Sequence, residues 1–238
     1  MRIENSHESE LVSQLLYGDC FEILSTKKEW FQIKSLDDLY IGWVNNKQVK
    51  EISKKNAEKI TFDEKIYSTR LIDYIETDEN RLSSIVLGSN IGACKYLGHD
   101  YDGPKRKKTE TKSNLIKIAS LYLNSPYLWG GKTPFGVDCS GLTQMIYRIN
   151  GFNIPRDAYQ QSEFGGETLS FIDESEPGDL AFFDDKEGKI VHVGMLLENN
   201  YILHAYGKVR IDRIDQTGIF NSEKQKHSHK LRIIKKII

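Results

Sequence analysis

Cys139 stands in the run Val137-Asp138-Cys139-Ser140-Gly141-Leu142, and its neighbours place it at the start of a helix. Asp138 is a good N-cap, and Leu142, Met145, Ile146 and Ile149 recur at the spacing of one buried helical face. Gly151 stops that helix. In a first turn the unpaired backbone N–H groups and the helix dipole favour negative charge. A thiol there loses its proton more readily, and the thiolate is the nucleophile. The plain alternative is a small apolar residue packed under the helix, where free cysteines usually sit.

A cysteine nucleophile needs a base, and the base needs an orienting group. Downstream, Lys189 to Leu197 reads as a strand bounded by the Asp184–Gly188 turn and by Asn199-Asn200. Tyr201-Ile202-Leu203-His204-Ala205-Tyr206 follows as its hairpin partner. Each strand carries one histidine among apolar neighbours, His192 and His204. Alone, either is a core histidine with its ring nitrogens satisfied. Paired strands downstream of a helix-capping cysteine make both candidates for chemistry.

The runs YLWGGKTPFGVDCSGL, IPRDAYQQ, PGDLAFF, HVGMLL and YILHAYG, in that order, resemble the NlpC-type cysteine peptidases. These are papain-like bacterial hydrolases of cell-wall peptides, and the resemblance covers roughly residues 110 to 238. It implies Cys139 as nucleophile, His192 as base, His204 as the orienting third residue and Tyr127 as an oxyanion-side hydroxyl. No metal and no other cofactor is implied. A Zn2+ site built from Cys139, His192 and His204 is the alternative use of the same residues, and it would leave the thiol unreactive.

The elements that must hold these residues follow from pattern. A helix at 113–124 is expected, capped by Ser113 and ended before Pro126, and a short helix through Gln161 is capped by Asp157. Strands follow at 180–184, 189–198, 201–207, 209–214 and 230–237, so helices precede an antiparallel sheet in an α+β domain. The stretch Phe220–His229 reads as a polar loop, whose His227 and His229 form an HxH pair of little weight without further ligands. A strict two-residue hairpin at Asn199-Asn200 would put His192 and His204 on opposite faces. The chemistry needs one face, so an odd-numbered loop or a bulge is expected, with His204 diagonal to His192 at roughly 7–8 Å between Cα atoms.

The 238-residue chain can build one large core or two modest ones. Its formal net charge of −1 gives no reason to expect a nucleic-acid partner. Cys20, Cys94 and Cys139 show neither a CxxC spacing nor an even count, so the first two read as buried structural thiols. No stretch approaches the ~20 apolar residues of a membrane span, and MRIENSHESE lacks the apolar core of a signal peptide. A cytoplasmic location, or an exported protein whose leader is missing, is expected, and a monomer.

Residues 1 to about 105 read as short strands in 10–17, 20–24, 30–33 and 39–44, then 66–67, 71–72, 84–87 and 93–97. Such spacing suggests small barrels or sandwiches. Tyr40-Ile41-Gly42-Trp43-Val44 resembles the closing strands of bacterial SH3-like domains, which commonly precede NlpC-type domains. The expected organisation is an SH3-like domain at 1–55, a second, degenerate one at 56–108 and the papain-like catalytic domain at 109–238. The run 100–112, with Lys105–Lys108, reads as a turn and a solvated linker.

Substrate class comes from the resemblance alone. Members with tandem SH3-like domains hydrolyse the γ-D-glutamyl to diamino acid bond of wall peptides, and in one branch acidic residues bind the free L-Ala amino group. Glu10 and Asp138 match that branch's pattern, with Ser140 and Tyr40 as further substrate-binding candidates. The plain readings are a strand-end charge for Glu10 and a helix cap for Asp138. Ala158 stands where other members carry serine, which removes one hydrogen bond to the substrate amine. The expected reaction is acyl transfer to water on murein tripeptides or related peptides, from a thiolate–imidazolium pair. The alternatives are a wall-remodelling endopeptidase or amidase of the same fold acting on intact peptidoglycan, and a non-catalytic wall-binding module.

Overall fold

The computed structural model describes residues 1–107 and 111–238, and the expected linker residues 108–110 lie outside them. The chain forms two compact units, residues 1–109 with 129–134, and residues 110–128 with 135–238.

In the first unit β1 (Phe21–Lys27), β2 (Trp30–Ser35) and β3 (Ile41–Asn45) make an antiparallel sheet in that order. Trp30, Ile33 and Val44 are buried. The expected strand at 10–17 is instead irregular, with one bridge from Leu11 to Arg2. Its polar groups bond elsewhere: Val12 N–H donates to Met1 O, and Gln14 Oε1 accepts Lys132 N–H at 2.7 Å. After α1 (Lys54–Glu58) come β4 (Ile66–Ser68), β5 (Ile72–Glu76), β6 (Leu82–Val86), α2 (Cys94–Leu97), β7 (Lys105–Lys107) and β8 (Lys132–Thr133). β4 pairs with β7 and β5 with β6. Residues 93–97, expected as a strand, are helical. The Asn90 side chain accepts Gly92 N–H at 3.1 Å to open the turn, and Gly98, at φ +71°, closes it. A short apolar run cannot distinguish the two by periodicity.

The second unit begins with α3 (Lys112–Leu121), which starts after Thr111 rather than at Ser113 and buries Leu115, Ile118 and Ala119. After β9 (Gly136–Val137), α4 (Cys139–Ile149) is buried along its whole length and packs against β12 (Ile190–Leu197) and β13 (Tyr201–Tyr206). α5 (Ala158–Glu163) and β10 (Glu167–Leu169) lead to β11 (Leu180–Asp184). β14 (Lys208–Ile214), β15 (Gly218–Asn221) and β16 (Lys226–Lys236) complete the sheet, ordered β10-β16-β11-β12-β13-β14-β15.

Because β15 also pairs with β16, strands β11 to β16 close into a ring. The expected polar loop at 220–229 is therefore mostly strand. Ile219 is buried, and at Gly218 a Cβ would fall 1.8 Å from His229 O, so only glycine lets the two strands meet there. The period of two divides each strand between two faces. One face carries the apolar cluster of Ala181, Phe183, Leu196, Ile202, Ile214, Ile219 and Ile234, and His192 and His204 continue the Leu196 and Ile202 rows.

Candidate active site

Asp138 caps α4 as expected, its Oδ1 accepting Gly141 N–H at 2.7 Å. It does more than cap. Arg156, itself fully buried, donates from Nη1 to Oδ1 at 3.0 Å and from Nη2 to Oδ2 at 2.6 Å, and also from Nη1 to Ser140 Oγ at 2.9 Å. A planar fork on a carboxylate is the geometry that makes a buried ion pair strong, and removing one partner of such a pair costs about 3–5 kcal/mol. Gln161 donates to Ser140 O at 3.0 Å and accepts from Thr143 Oγ1 at 2.7 Å, which ties α5 to the first turn of α4. The Asp138 charge is thus matched within its own unit, and the Ser140 hydroxyl is engaged by Arg156. The sequence reading singled out the segment holding Arg156 without assigning the arginine a role.

Cys139 is buried at the start of α4. Burial, reinforced by the Asp138 carboxylate, pushes its thiol up to about 12, while the Val193 and Ser140 N–H groups and Arg156 pull the other way. The Val193 N–H at Sγ puts the thiol beside the strand that carries His192. His192 is shifted well below the ordinary histidine range by burial and then by its neighbours His204 and His229. Both shifts favour the neutral partners, a thiol and an imidazole. Burial thus works against the expected resting thiolate–imidazolium pair, because loss of water opposes the helix dipole at a site this buried.

His204 meets His192 as the spacing argument required. The hairpin loop is Glu198–Asn200, three residues long, with Asn199 and Asn200 at positive φ, so Leu197 pairs with Tyr201 and Gly194 with His204. His204 is therefore diagonal to His192 on one face. His192 Nε2 and His204 Nδ1 lie 2.9 Å apart, with ring centroids 5.1 Å apart and nearly perpendicular.

Two residues here were missed. His204 Nε2 is 3.0 Å from Asp212 Oδ2, and Arg210 binds that carboxylate through Nε at 2.7 Å and Nη2 at 2.9 Å. Burial would raise Asp212, but the His204 and Arg210 hydrogen bonds together hold its carboxyl below the usual range. Asp212 is buried whereas its apolar neighbour Ile211 is exposed, which inverts the pattern that sequence reading relies on. His229, read as part of a loop pair, stacks on His192 at 4.2 Å and is lowered to about 4 by burial and then His204. His227 is separate, bound to Asp215 at 2.9 Å.

Among the described residues, the side chains close enough to share a metal ion are His192, His204 and His229, with ligand atoms within 4.8 Å of one another. Cys139 is not in that group. The half-buried Tyr127 hydroxyl is pushed up by burial and then by Cys139 and Asp138, which places it in their field. Glu10 and Tyr40 belong to the first unit. Glu10 accepts a hydrogen bond from Trp129 Nε1, and Tyr40 N–H donates to Asp38 Oδ1 at 3.1 Å.

A cysteine at a helix start, a buried imidazole on the strand that the helix packs against and a second imidazole bonded to the first are the parts of a papain-like cysteine peptidase domain. The NlpC/P60 family model matches residues 124–228, and the bacterial dipeptidyl-peptidase Sh3 domain model matches residues 1–49. Among curated relatives, gamma-D-glutamyl-L-lysine dipeptidyl-peptidase of Bacillus subtilis is 39% identical over 104 residues, which is 43% of this chain and 34% of that protein. Dipeptidyl-peptidase 6 of Lysinibacillus sphaericus is 26% identical over 242 residues, 87% of this chain and 86% of the relative. The crystal structure of an NlpC/P60 family protein from Bacillus cereus shares the fold, with a TM-score of 0.73 at 21% identity over 94% of this chain and 81% of that one.

Proposed function

We propose that this protein is a cysteine peptidase that hydrolyses the γ-D-glutamyl to diamino acid bond of cell-wall peptides and releases L-Ala-γ-D-Glu. The observation that carries the chemistry is the His192–His204 hydrogen bond at 2.9 Å on the strands against which the Cys139 helix packs. The names of the relatives support the bond cleaved, and the chain's own residues support the way it is cleaved. In the first step His192 takes the Cys139 proton as Sγ attacks the peptide carbonyl carbon. Burial favours the neutral pair, so transfer and attack proceed together in this reading. The carbonyl oxygen becomes an oxyanion met by N–H groups of the first turn of α4 and by the Tyr127 hydroxyl. His192 then gives the proton to the leaving amine of the diamino acid, and a thioester remains on Cys139. Water, deprotonated by His192, attacks the thioester; the C–S bond breaks, the proton returns from His192 to Sγ, and the dipeptide is freed.

Mass spectrometry of products from the tripeptide L-Ala-γ-D-Glu-L-Lys tests the reading. The expected products are L-Ala-γ-D-Glu and free lysine. An intact tripeptide alongside cleaved, polymeric peptidoglycan would replace it with a wall-remodelling endopeptidase.

A further inference from the structure

We propose that Asp212 is a positioning residue of the catalytic site, which sets the proton positions of both histidines through His204. The proposal rests on His192 acting as the base. An ionised carboxylate only accepts hydrogen bonds, so the His204 nitrogen facing it must carry a proton. That nitrogen is Nε2, 3.0 Å from Asp212 Oδ2. In a neutral His204 the other nitrogen, Nδ1, is then an acceptor. It lies 2.9 Å from His192 Nε2, which must donate to it. The proton of neutral His192 is thereby held on Nε2, and the lone pair is left on Nδ1. The base is ready before substrate arrives.

The surroundings make this assignment rigid. His192, His204 and Asp212 are all buried, so no bulk water competes for these bonds. Arg210 donates from Nη2 to Asp212 Oδ1 and sets its positive charge beside Oδ2, which keeps Asp212 an acceptor. When His192 becomes an imidazolium during attack, its Nε2–H points at His204 Nδ1, and the Asp212 charge lies one imidazole further on. Without the carboxylate a neutral His204 could take either tautomer, and only the one unprotonated on Nδ1 accepts from His192. With Asp212 it supplies one tautomer and a counter-charge, the task that a carboxylate performs directly in other triads.

Two measurements decide it. In the unmodified protein, long-range 1H–15N spectra of the histidine rings should show His204 protonated on Nε2 and unprotonated on Nδ1. The opposite tautomer would overturn the proposal whatever the activity. In the Asp212→Asn variant the amide can donate to His204 Nε2 and reverse the chain, so His192 would carry its proton on Nδ1. Swaps that impose the wrong tautomer cost up to about 10⁴-fold in kcat. The expected result is a kcat loss of roughly 10²-fold or more with KM within about threefold, and recovery of at least about tenfold in Asp212→Glu. A kcat within about threefold of the unmodified enzyme in a folded Asp212→Asn variant would also overturn it. Failure of the peptidase reading itself is read separately, as persistent turnover after Cys139→Ala, while the tautomer of His204 still reports on Asp212.

Discussion

Gly194 lies directly across the β-ladder from His204, and a side chain at that position would crowd the histidine. A Cβ at Gly194 would stand 2.9 Å from His204 Cβ and 2.7 Å from Ile202 Cδ1. At those distances either Ile202 or His204 must shift to admit a methyl. Gly194→Ala should therefore lower kcat by about tenfold or more, since displacements of ~1 Å at a catalytic group can cost about 10²-fold. Overpacking should also destabilise the fold by about 1–3 kcal/mol. Thermal denaturation and steady-state kinetics on the same sample separate the two effects. Unchanged kcat in the folded variant would show that the ladder accommodates the methyl without moving His204.

The pH profile follows from the neutral resting pair. His192 works as a base only when unprotonated, and burial holds it below the ordinary histidine value of about 6.5. Lowering the pH through neutrality should leave kcat/KM on its plateau, with the acid limb beginning below about pH 6.5. On the alkaline side the Cys139 thiol, pushed up to about 12, is still protonated. Alkylation of Cys139 by iodoacetamide should keep rising from about pH 7 to 10, since only the thiolate reacts. A rate already level from about pH 5 would establish a resting thiolate and return the first picture of an ion pair.

Stability has its own pH dependence with a definite sign. His229 is lowered to about 4 and His192 is lowered as well, so the unfolded chain binds protons more readily than the folded one below about 6.5. Their contribution is fully present above that value. It is lost as the pH falls toward 4, the folded value of His229. The Tm of Cys139→Ala, which removes the complication of reactivity, should fall steadily over that window. His229→Asn should flatten the slope, and an unaltered slope would assign the acid sensitivity to carboxylates.

Removal of each catalytic group should give an ordered series. Cys139→Ala should abolish turnover with the fold intact, because α4 is held by its apolar face and by the Asp138–Arg156 pair rather than by the thiol. His192→Ala removes the base and should cost roughly 10²–10⁴-fold. His204→Ala removes orientation only and should be milder. Equal residual rates for the two histidine variants, or the reverse order, would assign the base to His204.

How far the sequence carried depended on whether a feature is written in periodicity. The α4 helix, its cap and the β11–β14 strands have clean patterns, and the face argument for His192 and His204 foresaw an odd loop from parity alone. Asp212 and Arg156 were not legible as partners. Both are charged residues buried against polar partners, Asp212 against His204 and Arg210 and Arg156 against Asp138, and one-dimensional pattern assigns charges to water. The stretch Phe220–His229 was read as a loop because its residues are largely polar, and the pairing of β15 with β16 that closes the ring makes most of it strand. The thiol shift ran opposite to the helix-dipole expectation because desolvation is set by the whole fold, whereas the dipole is visible locally.

The last prediction concerns the amino end of the substrate. Within the first unit, Glu10 is fixed by Trp129 Nε1, and the backbone after that tryptophan docks on 11–14, with Lys132 N–H bound to Gln14 Oε1. A carboxylate held in place by one donor keeps lone pairs for a second. We propose it as the acceptor for the ammonium of a free L-Ala, a group that intact wall peptides lack because their L-Ala nitrogen is an amide. Glu10→Gln should raise KM for the free tripeptide by about fivefold or more, the worth of one ion pair at an exposed position, with kcat nearly unchanged. It should do little to an N-acetylated tripeptide, which the unmodified enzyme cleaves poorly. Trp129→Phe keeps the ring but frees the carboxylate, and should show a weaker shift in the same direction. Comparable kcat/KM for free and acetylated tripeptides in the unmodified enzyme would remove the ammonium from recognition and make intact wall the better substrate.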